Sequence, residues 1–377
     1  MKLTTRRTVF FSLLILILFC GVLEIVSYFL ISSFAETGTF SSRQINSIFH
    51  PYRGWVAPKN AKIKTSKPFF EYPNETYVQT DQYGHVITPL QVKNPEIRIA
   101  VLGGSSVFGV GSTSNATNIP SQLESKLNNK YKIKAEVTNL AVRGYNSFQE
   151  LVTLHEFLLN NKVDIVIAVS GYNDAYWGRM NDDIKYSLIQ RKVFDVSVPL
   201  VRKAQRQQPI VVNLGGYLRE FSYLMDIGFR ILYRVIGEPN QLVKHQNNIN
   251  TDNIPQRVKI SIRNYQMMKK LAETTGAYFI FALQPSAYSW SKFPGNVSYL
   301  KNRIEEERIN RIYMNRFAES LSKSSESLNI IDLRSLMNDM TTRPYVDSIH
   351  YTNDGAEKIA DFLSNHVQNL VKTIIKN

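Results

Sequence analysis

The sequence predicts an α/β protein: a three-layer sandwich around a central, mostly parallel sheet, preceded by an N-terminal transmembrane helix. Three observations predict it. From about Glu96 onward, short apolar runs alternate with amphipathic stretches. The apolar runs are of strand length and lack polar alternation, the pattern of strands buried on both faces. The chain also opens with an uncharged segment, residues 8–23, that approaches membrane length.

The opening segment comes first. Residues 25–34 continue its apolar character past Glu24. A helix needs about 20 apolar residues to cross a bilayer core, so residues 8–34 suffice. Lys2, Arg6 and Arg7 precede the segment and no comparable cluster follows it. That asymmetry predicts a cytoplasmic N-terminus, with the remainder periplasmic or extracellular. Two alternatives stay open. Ser33-Phe34-Ala35 has the small-x-small pattern of a signal-peptidase site, although secretory apolar regions run to only about 7–15 residues. Cys20 is a weaker lipidation candidate, because bulky Phe19 stands where a small residue is expected. Glu24 is read as a carboxylate near the outer headgroups, with pairing to another membrane helix as the alternative.

Composition narrows the rest. With 377 residues, of which 44% are hydrophobic, the chain can bury one large domain beyond its anchor, which excludes wholesale disorder. Cys20 is the single cysteine, so neither an intrachain disulfide nor a cysteine metal site is expected. No cofactor or metal is called for. The formal charge of +14 favours anionic partners such as acidic glycans or a phospholipid surface. No nucleic-acid-binding motif accompanies it, so nucleic acid is not an expected partner. The densest basic cluster, Arg202-Lys203-Ala204-Gln205-Arg206, reads as a solvated surface.

Three regions follow: a tip and anchor (1–35), an irregular juxtamembrane stretch (36–95) and the main domain (96–377). The middle region contains Pro51-Tyr52-Arg53-Gly54-Trp55, a turn at Asp81-Gln82-Tyr83-Gly84-His85, and a short alternating strand over 76–80. In the main domain, strands are expected at 97–102, 135–140, 164–169, 277–283 and 329–333. Helices are expected at 119–129, 147–160, 256–275, 299–323 and 353–375. Residues 175–255 are too long for an ordinary connection and are read as a lid or substrate-binding insertion.

Four short motifs fall at the ends of these strands, where such sheets bind ligands. Gly103-Gly104-Ser105-Ser106-Val107-Phe108-Gly109 follows the first strand and can present Ser105 on a tight turn. Gly144, in Asn139-Leu140-Ala141-Val142-Arg143-Gly144-Tyr145-Asn146, can offer a backbone N–H. Asn173, in Gly171-Tyr172-Asn173-Asp174, can donate a side-chain amide to a developing oxyanion. Asp347-Ser348-Ile349-His350 places a carboxylate three residues before an imidazole, an offset that lets the two meet in a turn. Each motif alone reads as an ordinary turn. In one order, at successive strand ends, they supply a nucleophile, a base and an orienting acid for acyl transfer. His50, His85, His155, His245 and His366 lack such a setting; His155 is expected on a helix face and His85 in a turn.

Together the blocks resemble the SGNH (GDSL-type) hydrolase superfamily over about Glu96 to the C-terminus. The resemblance implies a flavodoxin-like fold, with Ser105 as nucleophile, His350 as base and Asp347 as its orienting partner. It implies an oxyanion hole from the Ser105 and Gly144 amides and the Asn173 side chain. Gly104 departs from the pattern, since the family name has Asp there. The anchor, the insertion and Leu283-Gln284-Pro285 look like membrane-bound members that act on cell-surface polysaccharides. The expected function is thus an extracytoplasmic serine esterase removing acyl groups, O-acetyl above all, from a glycan or small ester. Two other readings remain: an O-acyltransferase using the same triad, and an inactive glycan-binding or accessory subunit docked to a membrane partner.

Overall fold

The computed structural model describes residues 5–37, 48–50, 52–66, 76–90, 92–178, 251–290, 300–301, 308–323, 328 and 330–376. The chain divides into two compact units, one of residues 1–44 and 191–247, the other of residues 45–190 and 248–377. In the first, the described residues form α1 (Thr5–Thr37). Its window Phe10–Ser27 has a mean hydropathy of 2.6 and is 6% buried, so it is long and apolar enough to cross a membrane.

The second unit begins with two small antiparallel sheets, β1 (Ile48–His50) with β2 (Gly54–Val56), and β3 (Lys62–Ser66) with β4 (Thr76–Gln79). The expected turn after β4 forms because Asp81 Oδ1 accepts from the Tyr83 and His85 amides at 2.8 and 2.9 Å. His85 sits in that turn, its ring edge-on to Phe157.

The core sheet holds β5 (Ile97–Gly103), β6 (Ala135–Asn139), β7 (Ile165–Ser170), β8 (Tyr278–Leu283) and β9 (Ile331–Asp332). Its order is β6-β5-β7-β8-β9, and every neighbouring pair is parallel. All six residues of β7 are buried, which explains its unbroken apolar run. Of the expected strand at 329–333, residues 331–332 form β9, the sheet edge paired with Ala282 and Leu283, and residue 329 lies outside the described residues.

The main helices among the described residues of this unit are α2 (Ser105–Phe108), α3 (Ile119–Asn129), α4 (Ser147–Leu158), α5 (Tyr172–Gly178), α6 (Ile254–Thr274), α7 (Arg308–Lys323) and α8 (Asn353–Lys376), with a short 3-10 turn at Asn115–Thr117. Asn118 and Asn146 start α3 and α4 by accepting the Ser121 and Gln149 amides at 2.9 and 3.2 Å. Right-handed crossovers put α3 on one face of the sheet and α4, α6 and α7 on the other. The packing agrees, with α3 against α8 and α6 against α4 and α7. His155 lies on the exposed face of α4. Residues 299–323, expected as one helix, are helical at 300–301 and from Arg308; the stretch between lies outside the described residues. So do most of the expected insertion, between α5 and α6, and the basic cluster at 202–206.

The strand order reverses direction at β5, between the connection to β6 and the connection to β7. In doubly wound sheets such a switch point leaves a crevice at the carboxyl ends of the two central strands. Ser105 follows β5 and Asn173 follows β7.

Candidate active site

The chain reaches Ser105 through Gly104, whose φ and ψ of −91° and −151° keep it extended before α2 turns inward. Gly109 closes that short helix at φ +109°, a left-handed conformation that glycine adopts without strain. Ser106 is buried and donates its hydroxyl to the Ile349 carbonyl at 3.0 Å. Of the two adjacent serines, then, Ser106 ties the Ser105 turn to the histidine loop.

Ser105 Oγ lies 2.8 Å from His350 Nε2, and His350 Nδ1 lies 2.6 Å from Asp347 Oδ2. The other Asp347 oxygen accepts the Ile349 and His350 amides at 2.9 and 2.8 Å. Burial alone would raise the Asp347 carboxyl. The facing imidazolium charge, the ring hydrogen bond and the two amides outweigh burial and hold it at about 2. An ionised Asp347 fixes the proton on Nδ1, which leaves Nε2 to accept from the serine hydroxyl. The side chains of His350 and Asp347 are 16% and 15% exposed, so the pair is shielded yet reachable.

The histidine loop is braced from three sides. Beyond Ser106, the Tyr351 hydroxyl donates to the Pro285 carbonyl at 2.6 Å, and the Ala287 amide donates to the Ser348 carbonyl at 2.9 Å. Asn353, at the start of α8, exchanges hydrogen bonds with Thr113 at 3.2 and 2.9 Å. A ring held this way keeps its alignment without help from a ligand.

Asn173 stands in the first turn of α5, and its Nδ2 donates to the Tyr145 carbonyl at 2.7 Å. An amide nitrogen carries two hydrogens, so a second remains for a ligand oxygen. The expected Gly144 sits one residue before Tyr145, at φ +77°. The structure thus joins the Gly144 loop to Asn173 directly.

Two contributions were not legible in the motifs. Asp174, next to Asn173, is buried and accepts from the Ser147 amide at 3.1 Å and from the Ser147, Ser261 and Tyr265 hydroxyls, the last two at 2.7 and 3.2 Å. Burial pushes its carboxyl up, and those donors restore part of the loss. It pins α5 behind Asn173, and its place directly after Asn173 was the only sequence signal. The second is the N-terminal hairpin: the Trp55 indole donates to the Arg143 carbonyl at 2.8 Å, and the Gln149 side chain donates to the Arg53 carbonyl at 2.7 Å. Arg143 itself lies over the Phe108 ring, 5.3 Å from its centroid, and burial lowers its guanidinium to about 10.

Several solved structures follow a similar chain path. A lipolytic protein of the G-D-S-L family from Desulfitobacterium hafniense DCB-2 gives a TM-score of 0.38 at 12% identity, covering 72% of this chain and 99% of its own. An acetyl xylan esterase gives 0.40 at 13%, covering 72% and 100%. The psychrotrophic esterase EstA from Pseudoalteromonas gives 0.38 at 14%, covering 75% and 100%. No protein-family model and no curated protein matches the sequence. What Ser105, His350 and Asp347 do is therefore read from their own geometry.

Proposed function

We propose that this chain is a membrane-anchored serine esterase that removes acyl groups, O-acetyl above all, from an extracytoplasmic glycan. The observation that carries it is the unbroken line from Ser105 Oγ through His350 to Asp347, at 2.8 and 2.6 Å. The order of the four motifs, which resembles SGNH hydrolases, supports the same reading.

Ser105 Oγ attacks the acyl carbonyl carbon while its proton passes to His350 Nε2. Asp347 stabilises the imidazolium that results. The oxyanion is held by the Ser105 and Gly144 amides and the remaining Asn173 N–H. Collapse expels the sugar oxygen, which takes the proton from Nε2 and leaves an acyl-serine. Water, deprotonated by His350, then attacks the acyl carbon and releases the carboxylic acid and free Ser105.

Location supports a glycan over a cytosolic ester. The apolar window Phe10–Ser27 of α1, with Lys2, Arg6 and Arg7 before it, favours an N-terminus held in the cytoplasm and a domain outside it. The net charge of +14 would retain acidic polymers nearby.

The test is acetate release from an acetylated polysaccharide by the full chain in detergent, against Ser105→Ala, with a parallel assay of acetyl transfer to added oligosaccharide. Acetate release that depends on Ser105 supports the esterase. Transfer without release favours the acyltransferase, and neither activity favours the accessory subunit. A reporter fused after Asn377 that is active only outside the cytosol checks the topology. A cytosolic C-terminus would remove the glycan.

A further inference from the structure

We propose that Trp55, in the hairpin of β1 and β2, is a positioning residue for the oxyanion site: it sets the orientation of the Arg143–Gly144 peptide. The inference rests on the esterase reading above and assigns a duty within it to a residue outside the α/β core.

The indole N–H of Trp55 donates to the Arg143 carbonyl at 2.8 Å, across a separation of 88 residues. That carbonyl and the Gly144 N–H belong to one planar trans peptide, so they point in opposite directions. Fixing the carbonyl therefore fixes the line along which the N–H is offered. Gly144, at φ +77°, has no side chain to hold the peptide itself, and glycine passes between conformations readily. A neighbour that grips the Arg143 carbonyl therefore adds restraint.

Trp55 supplies it from both sides of Gly144. The Tyr145 hydroxyl donates to the Trp55 carbonyl, and the two rings meet edge to face with centroids 5.9 Å apart. The Tyr145 carbonyl in turn holds the Asn173 amide at 2.7 Å. One residue of the hairpin thus reaches both supports of the developing charge, Gly144 through Arg143 and Asn173 through Tyr145. The Arg143 guanidinium, donating to the Lys64 carbonyl in β3, closes the same clamp.

Trp55→Phe tests this, because it keeps an aromatic ring against Tyr145 while removing the donor N–H together with part of the ring. The full chain in detergent is assayed on p-nitrophenyl acetate beside wild type and Ser105→Ala, and amide hydrogen exchange is followed over residues 141–146. The expected result is a kcat lower by roughly 10–10²-fold, the effect of about 1 Å of misplacement, with KM within about twofold and faster exchange over 141–146. An unchanged kcat would overturn the clamp. So would parallel losses of kcat and thermal stability with unchanged exchange over 141–146, which would mark Trp55 as packing alone. If wild type shows no hydrolysis beyond Ser105→Ala, the esterase reading fails by itself. The exchange data still decide the clamp: faster exchange supports it and an unchanged rate overturns it.

Discussion

A Cβ placed on Gly104 would lie 2.3 Å from Nδ2 of Asn173, closer than any side chain tolerates. The residue before Ser105 must therefore lack a side chain for Asn173 to keep its place. In this chain a larger side chain at position 104 would displace the amide.

Gly104→Ala should accordingly move Asn173, which the Tyr145 carbonyl holds from the other side at 2.7 Å. We expect kcat on a chromogenic acetyl ester to fall by roughly 10²-fold with the circular dichroism spectrum unchanged. An unaltered kcat would show that the position of Asn173 does not depend on the space left by Gly104.

Asn173→Ala removes the amide itself. Turnover should drop by roughly 10²–10³ with little change in KM, because the bond strengthens as charge develops. If stability falls and turnover does not, Asn173 serves only to tie α5 to the Tyr145 loop.

Asp347→Asn should lower kcat by roughly 10³–10⁴, since an amide no longer fixes the Nδ1 proton. The same residue leaves a mark on acid stability. Its folded value of about 2 lies below the ordinary 3.8, so its contribution is complete above about pH 4 and is lost as pH falls toward 2. That contribution is on the order of 2 kcal/mol. Urea unfolding between pH 5 and 2 should show a steeper loss for wild type than for Asp347→Asn.

Glu124 gives the opposite sign. It is buried under β6, where its carboxylate accepts the Val137 amide at 3.0 Å, and burial outweighs that bond to push its carboxyl up to about 7. A raised folded value means that stability is lost as pH climbs from about 4.5 through 7. Glu124→Gln should be nearly neutral at pH 4.5 and more stable than wild type at pH 8.5, by at most about 3 kcal/mol. Equal stability of the two proteins at pH 8.5 would contradict this.

The sheet and the site differed in how far the sequence exposed them. Buried strands such as β7 announce themselves because an unbroken apolar run has no other economical fate beside amphipathic helices. The meeting of Ser105 with His350 was legible from the motifs and not from the strands, since His350 lies in the loop just before α8, well past the end of β9. Trp55 was not legible: its bond to Arg143 spans 88 residues and joins a three-residue strand to a loop, neither long enough to carry periodicity. Gly104 likewise reads as a flexible turn until Asn173 is seen to occupy the space a side chain would need. The hairpins of residues 48–79 were expected as irregular chain with small strands, and their grip on the Gly144 loop depends on side chains that no local pattern marks.

The central claim is that Ser105 is the nucleophile, and covalent trapping tests it most directly. Incubation with diethyl p-nitrophenyl phosphate, followed by intact mass measurement and peptide mapping, should reveal one diethylphosphoryl group on Ser105 and none on Ser105→Ala. Ser106, whose hydroxyl is committed to the Ile349 carbonyl at 3.0 Å, should remain unmodified. An unlabelled folded protein, or a label on any residue other than Ser105, would contradict the account.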